Sequence, residues 1–200
     1  MLPSNYTSIH GWCTVEKANK LMEVVMSSDP TLSVELGVFG GKSLLPIALM
    51  SKYMNTGSRV IGVDAWSTQA SLEGTNDKEN DEWWSSIDYT NIFEYTKTLM
   101  VTNNVDDIVE LWKDTSKNVA SKFKDNSIDF LHQDSNHSEE VTCEEVELYW
   151  NKVKEGGYWV FDDTNWPTTK KAQTLLLSKG YTEYYDHNGE WKVYLRNKTV

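Results

Sequence analysis

Apolar residues first recur with helical spacing after Thr14, where Val15, Ala18, Leu21, Met22 and Val25 form one stripe. Thr14 can cap this helix, and Ser28-Asp29-Pro30 ends it. The pattern then changes to short apolar runs, most of them followed by a helical stretch. These runs are 32–38 (then a helix at 43–54), 59–64, 107–112 (then 116–123), 128–134 (then 139–153) and 157–163 (then 168–180). Strands this apolar, alternating with helices, predict a parallel sheet covered on both faces, a doubly wound α/β fold. Two last runs, 182–187 and 190–196, flank Asn188-Gly189, the dipeptide favoured in two-residue hairpin turns. They predict an antiparallel hairpin that completes a mostly parallel seven-stranded sheet of Rossmann-like type. Only 67–95 breaks the rhythm: it is polar, rich in Gly, Asn and Asp, and carries Trp83 and Trp84 side by side. Long irregular segments in compact domains commonly serve as lids, and the alternative is a surface insertion whose tryptophans tuck into the core.

With 200 residues the whole chain, 1–200, reads as one domain. Nineteen basic against thirty acidic residues give a net charge of −11, which repels phosphate backbones and anionic membranes, so nucleic acid and membrane are not expected partners. No run approaches the ~20 apolar residues of a membrane span, and the first residues lack a basic-then-apolar leader, so a cytoplasmic location is expected. Cys13 and Cys143 are far apart, with no Cys-x-x-Cys or Cys/His cluster, and are expected as free thiols. Without a leader, the Asn-x-Ser/Thr matches at 5–7, 136–138 and 197–199 are chance matches. The sequence leaves room for a homo-oligomer.

Each of the five predicted parallel strands ends in acid: Glu35, Asp64, Asp114, Asp134 and the Asp162-Asp163 pair. In an open α/β sheet ligands bind outside the carboxyl ends of the strands, so these acids share one rim. The competing explanation is that Asp is a common helix cap. The first turn, Glu35 to Ser43, is rich in glycine and admits three readings. A dinucleotide fingerprint fails because Phe39 and Lys42 stand where glycines are needed. A phosphate loop almost fits at Gly41-Lys42-Ser43, but is one residue short, with Leu36 in place of the leading glycine. The remaining pattern is Glu-x-Gly-x-x-x-Gly, in which glycines let the backbone approach a small ligand. A P-loop-like nucleotide enzyme stays as the rival reading. His132 alternates with Asp134 on one strand, an arrangement also found in iron dioxygenases, but the α/β pattern contradicts that β-rich fold and predicts a satisfied core histidine.

The ordered set of residues 33–44, the acid Asp64 after the second strand, and the pair of segments 128–138 and 155–163 resembles the class I S-adenosylmethionine-dependent methyltransferases. More narrowly, it is similar to small metal-dependent O-methyltransferases of the caffeoyl-CoA and macrocin-type sugar groups. The resemblance implies that Glu35, Gly37, Val38, Phe39, Gly41 and Ser43 hold the methionine half of S-adenosylmethionine and that Asp64 accepts the ribose hydroxyls. Trp66 and Asp114, Thr115 and Ser116 would flank the adenine. Asp134, Asp162 and Asp163 match divalent-metal ligands, and with Asn136 and Asn165 nearby they suit Mg²⁺. Plant catechol enzymes of this group carry a lysine where this chain has His137, which shifts the expected acceptor toward a hydroxyl of a sugar or glycosylated small molecule. His137 is then the expected base, with Asp134 as the other candidate. A module that binds S-adenosylmethionine without turnover is the remaining alternative.

Overall fold

The computed structural model describes residues 1–54 and 57–198; the last Asn-x-Thr match ends at Thr199, outside them. Seven strands form one sheet in the order β3-β2-β1-β4-β5-β7-β6. They are β1 (Leu32–Leu36), β2 (Arg59–Asp64), β3 (Val109–Lys113), β4 (Ile128–Gln133), β5 (Val153–Phe161), β6 (Tyr181–His187) and β7 (Trp191–Arg196). The first five are parallel, and β7 enters antiparallel between β5 and β6. The predicted fold is therefore observed. Asn188 (φ 51°) and Gly189 (φ 80°) both take left-handed backbone, as the tight hairpin turn requires.

Alternate residues of the strands enter two separate cores. Val60, Phe130 and Val160 face helices α1 (Val15–Ser28), α2 (Leu44–Met54) and α5 (Tyr89–Thr102). Ile61, Leu131 and Trp159 face α7 (Glu139–Tyr149) and α8 (Lys170–Ser178). Burial on both faces explains why the central strands read as unbroken apolar runs. No helix among the described residues is long and apolar enough to cross a membrane.

Three expectations are corrected. The 67–95 segment is not a loop but carries α3 (Thr68–Ser71), α4 (Lys78–Ser85) and the first turns of α5. Ser67, Asp77 and Asp88 each cap one of these helices by accepting a main-chain N–H, so residues that read as loop polarity are helix starts. The stripe of α1 is rotated from the expected one: Val15 is 45% exposed, whereas Lys17 is buried with Ala18, Leu21, Val24 and Val25. Strand β5 begins at Val153 rather than 157, across an irregular register opposite Ile128 and Phe130, and this cuts α7 short at Tyr149.

Strand order reverses between β1 and β4, which run side by side with Glu35 opposite His132 and Leu36 opposite Gln133. Beyond them the backbones close up until a Cβ on Gly37 (φ 85°) would run into the Asp134 carbonyl. Gly37→Ala is expected to lower stability by more than about 1 kcal/mol in denaturant titration, since it combines left-handed backbone with a steric collision. A variant as stable as the parent would contradict this account of the β1–β4 junction.

Candidate active site

Outside the carboxyl ends of β1 to β5 lies one cavity of about 690 Å³, within the size range of small-molecule sites. Gly37, Val38, Phe39 and Ser43 of the first turn line it, as do Asp64, Asp114, Thr115 and Ser116. Asp134, His137, Asp162, Asp163 and Asn165 line the other side. Most of the predicted residues thus meet around one space. Glu35, Gly41 and Trp66 do not line it. Glu35 is fully buried against His132, Gly41 packs under Met100 and Thr96, and Trp66 lies beneath the turn with its indole N–H donating to the Phe39 carbonyl at 2.9 Å.

Asp64 organises the glycine turn. One oxygen accepts the N–H groups of Val38 (3.0 Å) and Phe39 (2.9 Å), and the other accepts that of Trp66 (2.6 Å). A carboxylate offers about four acceptor positions, so three are taken by main chain and a bidentate grip on two ribose hydroxyls is not available in this arrangement. Burial pushes the Asp64 carboxyl above its usual range, and the three amides only partly oppose it. Lys42, the residue that suggested a phosphate loop, instead donates to the carbonyls of Thr7 (3.3 Å) and Gly11 (3.1 Å). It ties the N-terminal segment over the turn, and Tyr6 adds a hydroxyl bond to the Lys42 carbonyl at 2.8 Å.

At the other side, Asp162, Lys17, Asp134, His137 and Asp163 form a chain in which a lysine and a histidine alternate with three acids. The Lys17 ammonium pairs with Asp162 and lies 3.7 Å from Asp134. The His137 Nε2 atom lies 3.7 Å from Asp134 and 3.1 Å from Asp163, aligned as a hydrogen bond with neither. Burial would raise the Asp134 carboxyl, but Lys17 and the two histidines outweigh it and hold it at about 2. Burial also opposes charge on His137, yet Asp134 and Asp163 prevail and raise its pKa.

The three acids expected to hold Mg²⁺ are divided between two clusters that share Asp134. Ligand-type atoms lying within 4.8 Å of one another fall into two groups among the described residues, His132–Asp134–Asp162 and Asp134–His137–Asp163. Each contains an imidazole, which Mg²⁺ does not favour, and Lys17 already occupies the first. The Asn136 Oδ1 atom, the one that could meet a metal, accepts the Ser138 N–H at 2.8 Å, while its NH₂ group donates to the carbonyls of Ser71 and Glu73, both at 2.9 Å, and fastens α3 to the rim. His132 is satisfied only on one side: Nδ1 meets Glu35 at 2.7 Å, while Nε2 is buried without a partner, 4.0 Å from Asp134 and 3.9 Å from Asp162.

Among the lining residues that sequence reasoning missed are Lys17, Trp12 and Glu145. Lys17 stands about one helical turn before Leu21 and two before Val24, so a stripe drawn from those residues would have included it. Trp12 stacks on Phe39 at 5.4 Å and meets Trp83 edge-on at 5.1 Å, forming with Trp84 an aromatic rim on the cavity mouth. Nothing in its local sequence signals this. Glu145 is a buried carboxylate on α7 that accepts from Gln133 (2.8 Å) and Ser135 (2.7 Å).

Comparison with known proteins agrees with this geometry. A family described as "Methyltransferase domain" matches residues 34–164. The chain belongs to that methyltransferase family. Its fold is similar to the O-methyltransferase NovP (TM-score 0.70, 16% identity, covering 92% of this chain and 79% of NovP). It is also similar to the O-methyltransferase TomG of Streptomyces achromogenes, solved with SAM (TM-score 0.66, 11% identity, 92% and 81% covered). A third similar structure is a methyltransferase from Geobacter sulfurreducens (TM-score 0.64, 16% identity, 92% and 80% covered). No curated protein matches the sequence.

Burial raises the pKa of Glu145 in this methyltransferase domain, against the bonds from Ser116, Ser135 and Gln133 that lower it. A raised carboxyl pKa favours folding below the unfolded value of about 4.3, and that advantage is lost as pH rises through the folded pKa. Glu145→Gln should therefore gain melting temperature relative to the parent as pH is raised from about 4 to 8. Thermal scans showing a constant difference across that range would contradict it.

Proposed function

We propose that the chain is an S-adenosylmethionine-dependent O-methyltransferase acting on a hydroxyl of a small molecule, a sugar or glycosylated metabolite. The observation that carries this reading is one cavity joining the Asp64-braced glycine turn to His137 and its two carboxylates beneath an aromatic rim. S-adenosylmethionine supplies a methyl group on a sulfonium, so attack by the acceptor oxygen breaks the carbon–sulfur bond and leaves a neutral thioether. The work left to the protein is alignment and removal of one proton.

The turn at Gly37 to Phe39 and the segment Asp114 to Ser116 bind the cofactor, with Asp64 spending its last acceptor position on a ribose hydroxyl. The hydroxyl proton passes to His137 Nε2, the ring atom that has no aligned partner within the protein. Asp163 and Asp134 then stabilise the imidazolium. Asp134 itself, held at about 2, is a poor proton acceptor. Trp12, Trp83 and Trp84 offer flat apolar faces on which a sugar ring can stack, and 67–95 acts as the lid that carries two of them.

Asp64→Asn should weaken S-adenosylmethionine binding by roughly 10- to 100-fold in calorimetry, the worth of one charge-assisted hydrogen bond plus a loosened turn. Unchanged affinity in the folded variant would remove the cofactor assignment. His137→Ala should reduce methyl transfer by on the order of 10² to 10⁴ while cofactor affinity holds. Near-normal turnover in that variant would return proton removal to Asp134 or solvent. Cofactor binding by the parent chain, with no transfer to any of a panel of glycosylated hydroxyl acceptors, would favour the binding module.

A further inference from the structure

Lys17 is 6% exposed and lies on the inner face of α1, where the Thr14 side chain caps the helix by accepting the Lys17 N–H at 3.1 Å. Its ammonium reaches the carboxyl ends of β4 and β5 and lies between Asp162 and Asp134. Beside it the buried His132 Nε2 atom has no partner and lies within 4.0 Å of an oxygen of each carboxylate. Without the lysine these three side chains would be an imidazole and two carboxylates with ligand atoms within 4.8 Å of one another, a donor set suited to Mn²⁺ or a similar divalent ion. With the lysine, the position is filled by a covalently attached cation.

We infer that Lys17 is the resident cation of this rim, standing where the Asp134–Asp162 pair would otherwise hold a divalent metal, so that the site keeps its carboxylates together without one. Two like charges must be brought together at low water content for a metal to join the ammonium there, so occupation by one excludes the other. Lys17 is on this account a positioning residue. It holds Asp134 ionised and in place beside His137, and it reaches the reaction through those groups. The inference bears on the charge balance of the proposed methyl-transfer site, yet its test uses metal binding alone and does not depend on the acceptor being known.

Mn²⁺ is the probe, added to the full chain after chelator dialysis, with calorimetry for affinity and paramagnetic resonance of free Mn²⁺ for stoichiometry. The parent is expected to bind Mn²⁺ only weakly. Lys17→Met is expected to bind one Mn²⁺ per chain at least about tenfold more tightly, a gain abolished when Asp162→Asn is added. A merely structural lysine would not create such a gain. Lys17→Gln, whose amide can still donate to Asp162, serves if Lys17→Met does not fold. Tight Mn²⁺ binding by the parent that is lost in Asp162→Asn would overturn the inference. So would folded lysine variants that bind Mn²⁺ no better than the parent. Failure of the parent to bind S-adenosylmethionine would overturn the proposed function and leave this result standing.

Discussion

Three carboxylates cannot share the buried end of a sheet unless positive charge is placed among them, because each pays a desolvation cost and repels the others. In this protein Lys17 supplies that charge between Asp162 and Asp134, and the His137 imidazole stands between Asp134 and Asp163. Much of the rim follows from this arrangement. It requires α1 to deliver its first turn to the ends of β4 and β5, and it leaves Asp134 firmly ionised. It also leaves His137 as the group between two acids that can carry a proton.

The same end of the sheet shows how backbone closeness is converted into a binding surface. Parallel pairing of β1 with β4 puts Glu35 opposite His132, and one carboxylate oxygen meets the imidazole Nδ1 in the core while His132 Nε2 is left without a partner. Two residues further on, Gly37 allows the glycine turn to pass over Asp134. Asp64 then grips the turn from the neighbouring strand through two main-chain amides. The cofactor turn and the acid rim are therefore parts of one junction, and displacement of either backbone would disturb both.

Around the mouth, the N-terminal segment, the glycine turn and the lid helices meet through Trp12, Phe39, Trp83 and Trp84. Phe39 belongs to the turn and the tryptophans to the segments above it, so an acceptor stacking on the rim would rest on side chains fixed to the cofactor turn. Lys42 strengthens that link by holding the main chain of Thr7 and Gly11.

The alternation of apolar runs with helical stretches was enough to determine the doubly wound sheet, its closing hairpin and the gathering of acids at one rim, because these depend on period and on the ends of strands. The acids that end the five parallel strands and the glycine turn were legible for the same reason. The roles of individual side chains were not. Glu35 and Asp134 are both acids at the β1–β4 end, but register sends one into the core against His132 and leaves the other in the cavity. Lys17 reads as a surface lysine until the rotation of α1 against the sheet is known, and Trp12 reads as an isolated aromatic until the chain folds back over the turn. Periodicity reports which face an element buries, whereas the partner met across that face is set by packing between segments distant in the sequence, and only the tertiary structure decides it.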